Sequence, residues 1–223
     1  MTSPVRTSQA HPLKIATIPV GSQGGAVGVT FAPGKHQTAA MTGIWARDLA
    51  LDLEAIRRWG ASDLITLLEP HEFEELSVPQ LQQQAIAFGL RWHGLPITDG
   101  APPDARFLDR WASLGPEFSE SLKAGKRIVV HCKGGLGRAG TVACLLLLDT
   151  GVAADADDAM AIVRAVRRGA IETAEQEDFL RTWPRNSRIV LGSIRCVIQH
   201  IFGLSRIPDT PSPMHSDRRY RNR

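Results

Sequence analysis

At 223 residues, 43% of them apolar, the chain can bury one substantial core, so one domain with appendages, or at most two small domains, is expected. A formal charge of +3, three scattered cysteines (Cys132, Cys144, Cys196), no Cys-x-x-Cys pair and no zinc-spaced histidines argue against a disulfide framework or a zinc module. They suit a reducing, cytoplasmic setting. No apolar leader follows Met1, and the apolar stretch 189–204 is broken by Arg195, Gln199 and His200, so neither a secretory signal nor a membrane span is expected.

In chain order, residues 1–12 read as a disordered N-terminus, small and polar with Pro4 and Pro12. The β-branched runs 14–20 and 26–31, joined by Gly21-Ser-Gln-Gly-Gly25, predict a hairpin. A nucleotide-type glycine loop is rejected there, because no Gly-Lys-Ser/Thr follows and no helix begins. Leu49, Leu53, Ile56 and Trp59 recur at helical spacing and predict a helix over 45–59, closed by Gly60. Asp63–Leu68 reads as a buried strand, 71–76 and 78–88 as helices, and 90–93 as the next strand. A loop over 94–102 leads into a helix over 103–122, and Arg127-Ile-Val-Val-His131 is a strand that runs directly into a glycine-rich turn.

Helical patterns over 137–150, 154–167 and 173–183 fill the rest, the first nearly all apolar and so central and buried. Strands alternating with helices predict an α/β fold: a central, mostly parallel mixed sheet flanked by helices, with a helical C-terminal half. The domain is expected over 13–184. A further helix follows over 185–204, docked on the domain or on a second chain. Residues 205–223 then form a disordered tail whose end, 217–223, holds four arginines.

The chemistry concentrates in His131-Cys-Lys-Gly-Gly-Leu-Gly-Arg138. A strand delivers Cys132 to the mouth of a loop whose glycines let backbone N–H groups turn inward, and the loop runs into a helix N-terminus. Converging N–H groups and the positive helix end form an anion nest sized for phosphate. Lys133, Gly134, Gly135, Leu136, Gly137 and Arg138 are therefore the candidate phosphate-binding residues. The same field stabilises a thiolate nucleophile. Arg138 returns a planar fork that can hold two phosphate oxygens at once. Expulsion of an alkoxide or phenoxide needs a proton donor. Asp99, in the Pro-Ile-Thr-Asp-Gly loop, is the leading candidate and Asp104 its rival, although an Asp-Gly pair serves equally well as a simple turn. Cys144, on the apolar helix, reads as a core cysteine rather than a redox partner.

His131-Cys-x5-Arg138 is the signature of the protein tyrosine and dual-specificity phosphatases. With Ala32-Pro-Gly-Lys35, Pro96-Ile-Thr-Asp-Gly100, Pro103-Asp104, Gly169-Ala-Ile-Glu-Thr173 and Gln176, the chain over about 28–183 resembles the kinase-associated, cyclin-dependent kinase inhibitor 3-like phosphatases. The resemblance implies a phosphocysteine intermediate on Cys132 and phosphate binding by Arg138. It makes Asp99 general acid and then base, His131 a residue that tunes the thiol, and Gln176 a residue that positions the hydrolytic water. It implies no cofactor or metal, a phosphorylated protein or peptide substrate, a protein kinase as possible partner, and no nucleic acid. Ala139 departs from the family pattern, which places Ser or Thr there to stabilise the departing thiolate; Thr141 is the candidate substitute. A phosphoinositide or inositol phosphate substrate, suggested by Lys133, and a phosphate-binding adaptor with an impaired site, suggested by Ala139, are the alternatives.

Overall fold

The computed structural model describes residues 5–40 and 43–184. The helix and basic tail expected beyond 184 lie outside the described residues. The first hairpin forms as the two β-branched runs predict: β1 (Ala16–Val20) pairs antiparallel with β2 (Gly25–Phe31). A smaller hairpin, β3 (His36–Ala40) with β4 (Gly43–Ala46), follows. The helix expected from Trp45 begins later, as α1 (Leu49–Arg58). Asp48 caps it by accepting the Leu51 N–H at 3.0 Å, while Ile44 and Trp45 are drawn into β4 by pairing with β3.

β5 (Ala61–Thr66), α2 (Pro70–Glu75), α3 (Leu81–Ala87) and β6 (Arg91–Gly94) come next. Then follow α4 (Ala105–Lys123), β7 (Arg127–Cys132), α5 (Gly137–Thr150), α6 (Ala156–Val166) and α7 (Ala174–Thr182). The main sheet has five strands in the order β1-β2-β7-β5-β6, parallel except for the β1–β2 pair. Its centre is β7, whose Ile128, Val129 and Val130 are wholly buried.

Two apolar clusters cover the two faces. On one, Trp111, Phe118 and Leu122 of α4 and Val142 to Leu147 of α5 pack with Met160, Val163 and Leu180. On the other, Leu53 and Ile56 of α1 meet Leu81 and Ala85 of α3 across Leu64. Covering a mostly parallel sheet on both faces leaves its strand ends as the place for ligands, and the C-terminal end of the central strand is Cys132.

The stretch before Leu13, expected to be disordered, is held from Val5 onward. Arg6 donates its N–H to the Ile44 carbonyl at 2.8 Å, and Ser8 accepts the Asp48 N–H at 2.9 Å. Arg47 ties the segment down, donating to the His11 carbonyl at 2.8 Å while its fork grips Asp52 at 2.7 and 2.8 Å. Asp52 in turn accepts the Gly34 N–H at 2.9 Å. Composition suggested a loose end because the partners lie 36 to 40 residues away, beyond any local pattern.

Candidate active site

β7 ends at Cys132, and residues 133–136 wrap back to start α5 at Gly137. The Gly135 N–H points at Cys132 Sγ, 3.2 Å away. Gly135 has φ +70°, and a Cβ there would fall 2.4 Å from the Thr30 backbone of β2, so any side chain would force the loop off the sheet. Arg167, just past α6, fastens the loop from outside by donating to the carbonyls of Gly135 at 2.9 Å and Gly134 at 3.0 Å. Pinning these carbonyls outward leaves the Gly135 N–H facing the sulfur.

Arg138 is only 1% exposed and uses its guanidinium in two directions. Its end-on fork grips Glu72 of α2 at 2.6 and 2.9 Å, and Nη1 also donates to the Ile97 carbonyl at 3.0 Å. Its side-on edge, Nε with Nη2, faces Asp99: Nη2 meets Asp99 Oδ1 at 2.9 Å. Nε has no hydrogen-bond partner among the described residues. Glu72 thus aims the arginine and Nε remains a buried donor for an oxyanion, a group costly to leave unsatisfied. Burial alone would push Glu72 up, but the hydrogen bonds and charge of Arg138 hold it below the ordinary carboxylate range.

His131 is fully buried and bonds Thr66 on β5 through Nε2 at 2.8 Å; Trp92 Nε1 donates to the same hydroxyl at 2.9 Å. Burial holds the imidazole down to about 3, so it is neutral near pH 7. It fixes the strand end beside Cys132 as a neutral ring, not as a charge. Lys133 turns its ammonium to Glu75 of α2, and its carbonyl accepts from Lys35 Nζ at 3.2 Å. Gln176 is wholly buried, with Oε1 accepting the Glu172 N–H at 3.0 Å and Nε2 donating to Ala101 at 3.2 Å. Its amide therefore braces the loop that carries Asp99. Asp104 caps α4 through the Phe107 N–H at 3.2 Å and pairs with Arg106 at 2.8 Å. Thr141 donates its hydroxyl to the Gly137 carbonyl at 2.9 Å, so it does not replace the missing hydroxyl at Ala139. Cys144 is a core residue, its thiol pushed up to about 12 by burial.

Three participants escaped the sequence reading. Glu72 lies in the first turn of α2, where it also accepts the Glu69 N–H at 2.9 Å. Glu172 accepts the Gly137 N–H at 2.7 Å, setting a carboxylate on the first turn of α5. Lys35 lies over Trp45, 4.4 Å from the ring centroid, and burial lowers its ammonium to about 8 against the opposing pull of Cys132. Above pH ~7 a phosphomonoester is fully dianionic. Binding of p-nitrophenyl phosphate to Cys132→Ser, followed by calorimetry, should therefore weaken as pH climbs through the Lys35 transition, and Lys35→Met should flatten that limb. Stability should move the other way, rising over the same interval because the unfolded chain retains the proton longer. A pH profile unchanged by Lys35→Met would remove Lys35 from the site.

Sheet order, cysteine loop and helix together are the protein tyrosine and dual-specificity phosphatase fold. The Swiss Army Knife family of phosphatase domains, described as a DSP-PTPase phosphatase domain, matches residues 51–180, and the chain belongs to that family. It is 32% identical to cyclin-dependent kinase inhibitor 3 of Mus musculus over 136 residues, 60% of this chain and 62% of the relative. It is 30% identical to protein tyrosine phosphatase type IVA 3 of Homo sapiens over 128 residues, 57% of this chain and 67% of that one. The match thus spans about three-fifths of the length of the mouse relative. A crystal structure of kinase associated phosphatase, with serine in place of its catalytic-site cysteine, superposes with a TM-score of 0.66 at 27% identity, covering 76% of this chain and 92% of that one. Among the described residues no helix is long and apolar enough to cross a membrane.

Proposed function

We propose that the chain is a cytoplasmic protein phosphatase, of tyrosine or dual specificity, that hydrolyses phosphate monoesters through a phosphocysteine on Cys132. The observation that carries this reading is the Gly135 N–H aimed at Cys132 Sγ on the same turn as a buried Arg138, which feels the charge of Cys132, meets Asp99 through Nη2 and keeps Nε without a hydrogen-bond partner among the described residues. The Cys132 thiolate forms the S–P bond as the P–O bond to the leaving group breaks, and Asp99 gives that oxygen its proton. Asp99 then takes a proton from the water that cleaves S–P, releasing phosphate and returning the thiolate. Arg138 holds two phosphoryl oxygens through Nε and Nη2, in the place where Asp99 now meets it. Gln176 positions the acid loop. The substrate is a phosphorylated protein or peptide, a protein kinase among the candidates, in line with the names of the relatives.

A phosphate-release screen over phosphopeptides, phosphoinositides and inositol phosphates, with Cys132→Ser as control, tests the reading; release from peptides supports it and release from none ends it. Asp99→Asn should lower kcat on a phosphopeptide by ~10²–10⁴-fold and should cost less on p-nitrophenyl phosphate, whose leaving group needs little protonation. Equal losses on both substrates would assign Asp99 to binding. Ala139→Ser should shorten the phosphoenzyme lifetime by supplying the hydroxyl that Thr141 spends on Gly137. Rapid-mixing traces with no burst in wild type and unchanged turnover in Ala139→Ser would refute a slow second step.

A further inference from the structure

The loop that carries Asp99 is fastened on both sides, while the Asp99 side chain itself stays 65% exposed. On the α7 side, Thr173 Oγ1 donates to the Gly100 carbonyl at 3.1 Å and Gln176 Nε2 to the Ala101 carbonyl at 3.2 Å. On the other side, Thr98 Oγ1 donates to Glu69 Oε1 at 3.0 Å. Glu69 is the residue just before α2, and the proposed chemistry gives its carboxylate no task. Arg106 of α4 holds that carboxylate, its Nη2 meeting Oε1 at 2.8 Å. Hydrogen bonding to Arg106 keeps Glu69 below the ordinary carboxylate range, so it is an ionised acceptor at neutral pH.

Glu69 is also joined to the arginine end of the site. Its N–H donates to Glu72 Oε2 at 2.9 Å, and Glu72 grips Arg138 at 2.6 and 2.9 Å. Arg138 Nη2 in turn meets Asp99 Oδ1 at 2.9 Å. The contacts close a ring that runs from Arg138 through Glu72, Glu69 and Thr98 to Asp99 and back. The start of α2 thus holds the phosphate clamp with one carboxylate and the acid loop with another. When phosphate takes the Nη2 donor, Asp99 has to turn away from Arg138 and still reach the leaving oxygen. A side chain turning on a backbone held at Thr98, Gly100 and Ala101 keeps that reach, and one on a free loop loses it.

We propose that Glu69 is a positioning residue for Asp99: it anchors Thr98 and so sets how closely the acid approaches the leaving group. The proposal rests on the phosphatase reading with Asp99 as the acid. Glu69 touches neither substrate nor sulfur, and it acts through its neighbour's neighbour on the loop.

The test compares Glu69→Ala, Glu69→Gln and Thr98→Val with Asp99→Asn on a phosphopeptide and on p-nitrophenyl phosphate. Thr98 is exposed, so Thr98→Val removes the anchoring hydroxyl without emptying the core. On the phosphopeptide, Glu69→Ala should lower kcat ~10–100-fold and Thr98→Val ~3–10-fold, with KM kept within about twofold. Losses on p-nitrophenyl phosphate should be smaller. Glu69→Gln, which keeps an oxygen for Thr98, should regain part of what Glu69→Ala loses. In the Asp99→Asn background Glu69→Ala and Thr98→Val should lower the rate no further, because the group they place is already gone. A merely structural role would lower kcat equally on both substrates and add to the loss in Asp99→Asn; either result overturns the proposal. Hydrogen exchange reads the anchor without turnover. The Ile97 and Ala101 amides, bonded to the Leu67 and Thr98 carbonyls, should exchange faster in Thr98→Val than in wild type, and unchanged exchange overturns the anchor. A peptide-selective loss in Asp99→Asn that is absent from the Glu69 and Thr98 variants removes the positioning role alone. No phosphate release by wild type, with exchange still faster in Thr98→Val, removes the phosphatase reading alone.

Discussion

Cys132→Ser is expected to lower phosphate release from every substrate by on the order of 10⁴-fold or more, with substrate affinity kept within a few-fold. A serine hydroxyl at the end of β7 remains protonated at neutral pH and has no adjacent base: His131 is tied to Thr66 and held neutral by burial. The loop keeps its shape, because the carbonyls of Gly134 and Gly135 are pinned by Arg167 and not by the sulfur. Residual turnover beyond a few per cent of wild type in a preparation shown free of it would place the nucleophile elsewhere.

Glu72→Ala is expected to do more damage to stability than any other single change at the site. Arg138 is buried at 1% exposure, and the end-on grip of Glu72 supplies its only fully buried counter-charge among the described residues. Removing one partner of such a pair costs ~3–5 kcal/mol. For a chain of this size that corresponds to a fall in Tm of about 6 to 20 °C. Activity at a temperature where the variant is folded should fall as well, since the guanidinium loses the contact that aims its Nε and Nη2 at the cradle. Glu72→Leu/Arg138→Met should recover much of the lost stability with no activity. A melting temperature unmoved by Glu72→Ala would show that the Leu67 and Ile97 carbonyls alone suffice to hold the arginine.

The same pair gives the protein an acid limit. Glu72 is held below the ordinary carboxylate range, so its contribution is complete above the pKa it has in the unfolded chain. That contribution is lost as pH falls through its depressed folded value.

What the sequence by itself determined about this protein is whatever depends on neighbours along the chain. The β-branched runs around 14–31, the apolar strand 127–131 and the helical periodicities settled the alternation of elements and the α/β class. The spacing from Cys132 to Arg138 pointed to a cradle, and the structure puts Cys132 at the end of β7 and Arg138 in the first turn of α5. Asp99 was legible as a candidate from its Asp-Gly loop, and its approach to Arg138 needed the fold.

Tertiary structure alone decided the rest, because those contacts join residues far apart in the chain. Glu72 reaches Arg138 across 66 positions, and Lys35 reaches the Lys133 carbonyl across 98. Gln176 turned out to brace Ala101 of the acid loop, a contact no spacing announces. Residues 5–12 looked disordered because short polar segments lack an apolar stripe. What orders them is a buried Arg47–Asp52 pair whose free donors reach back to their carbonyls. Local pattern reports propensity, whereas a buried charge is placed by the partner that compensates it, and that partner is chosen by the fold.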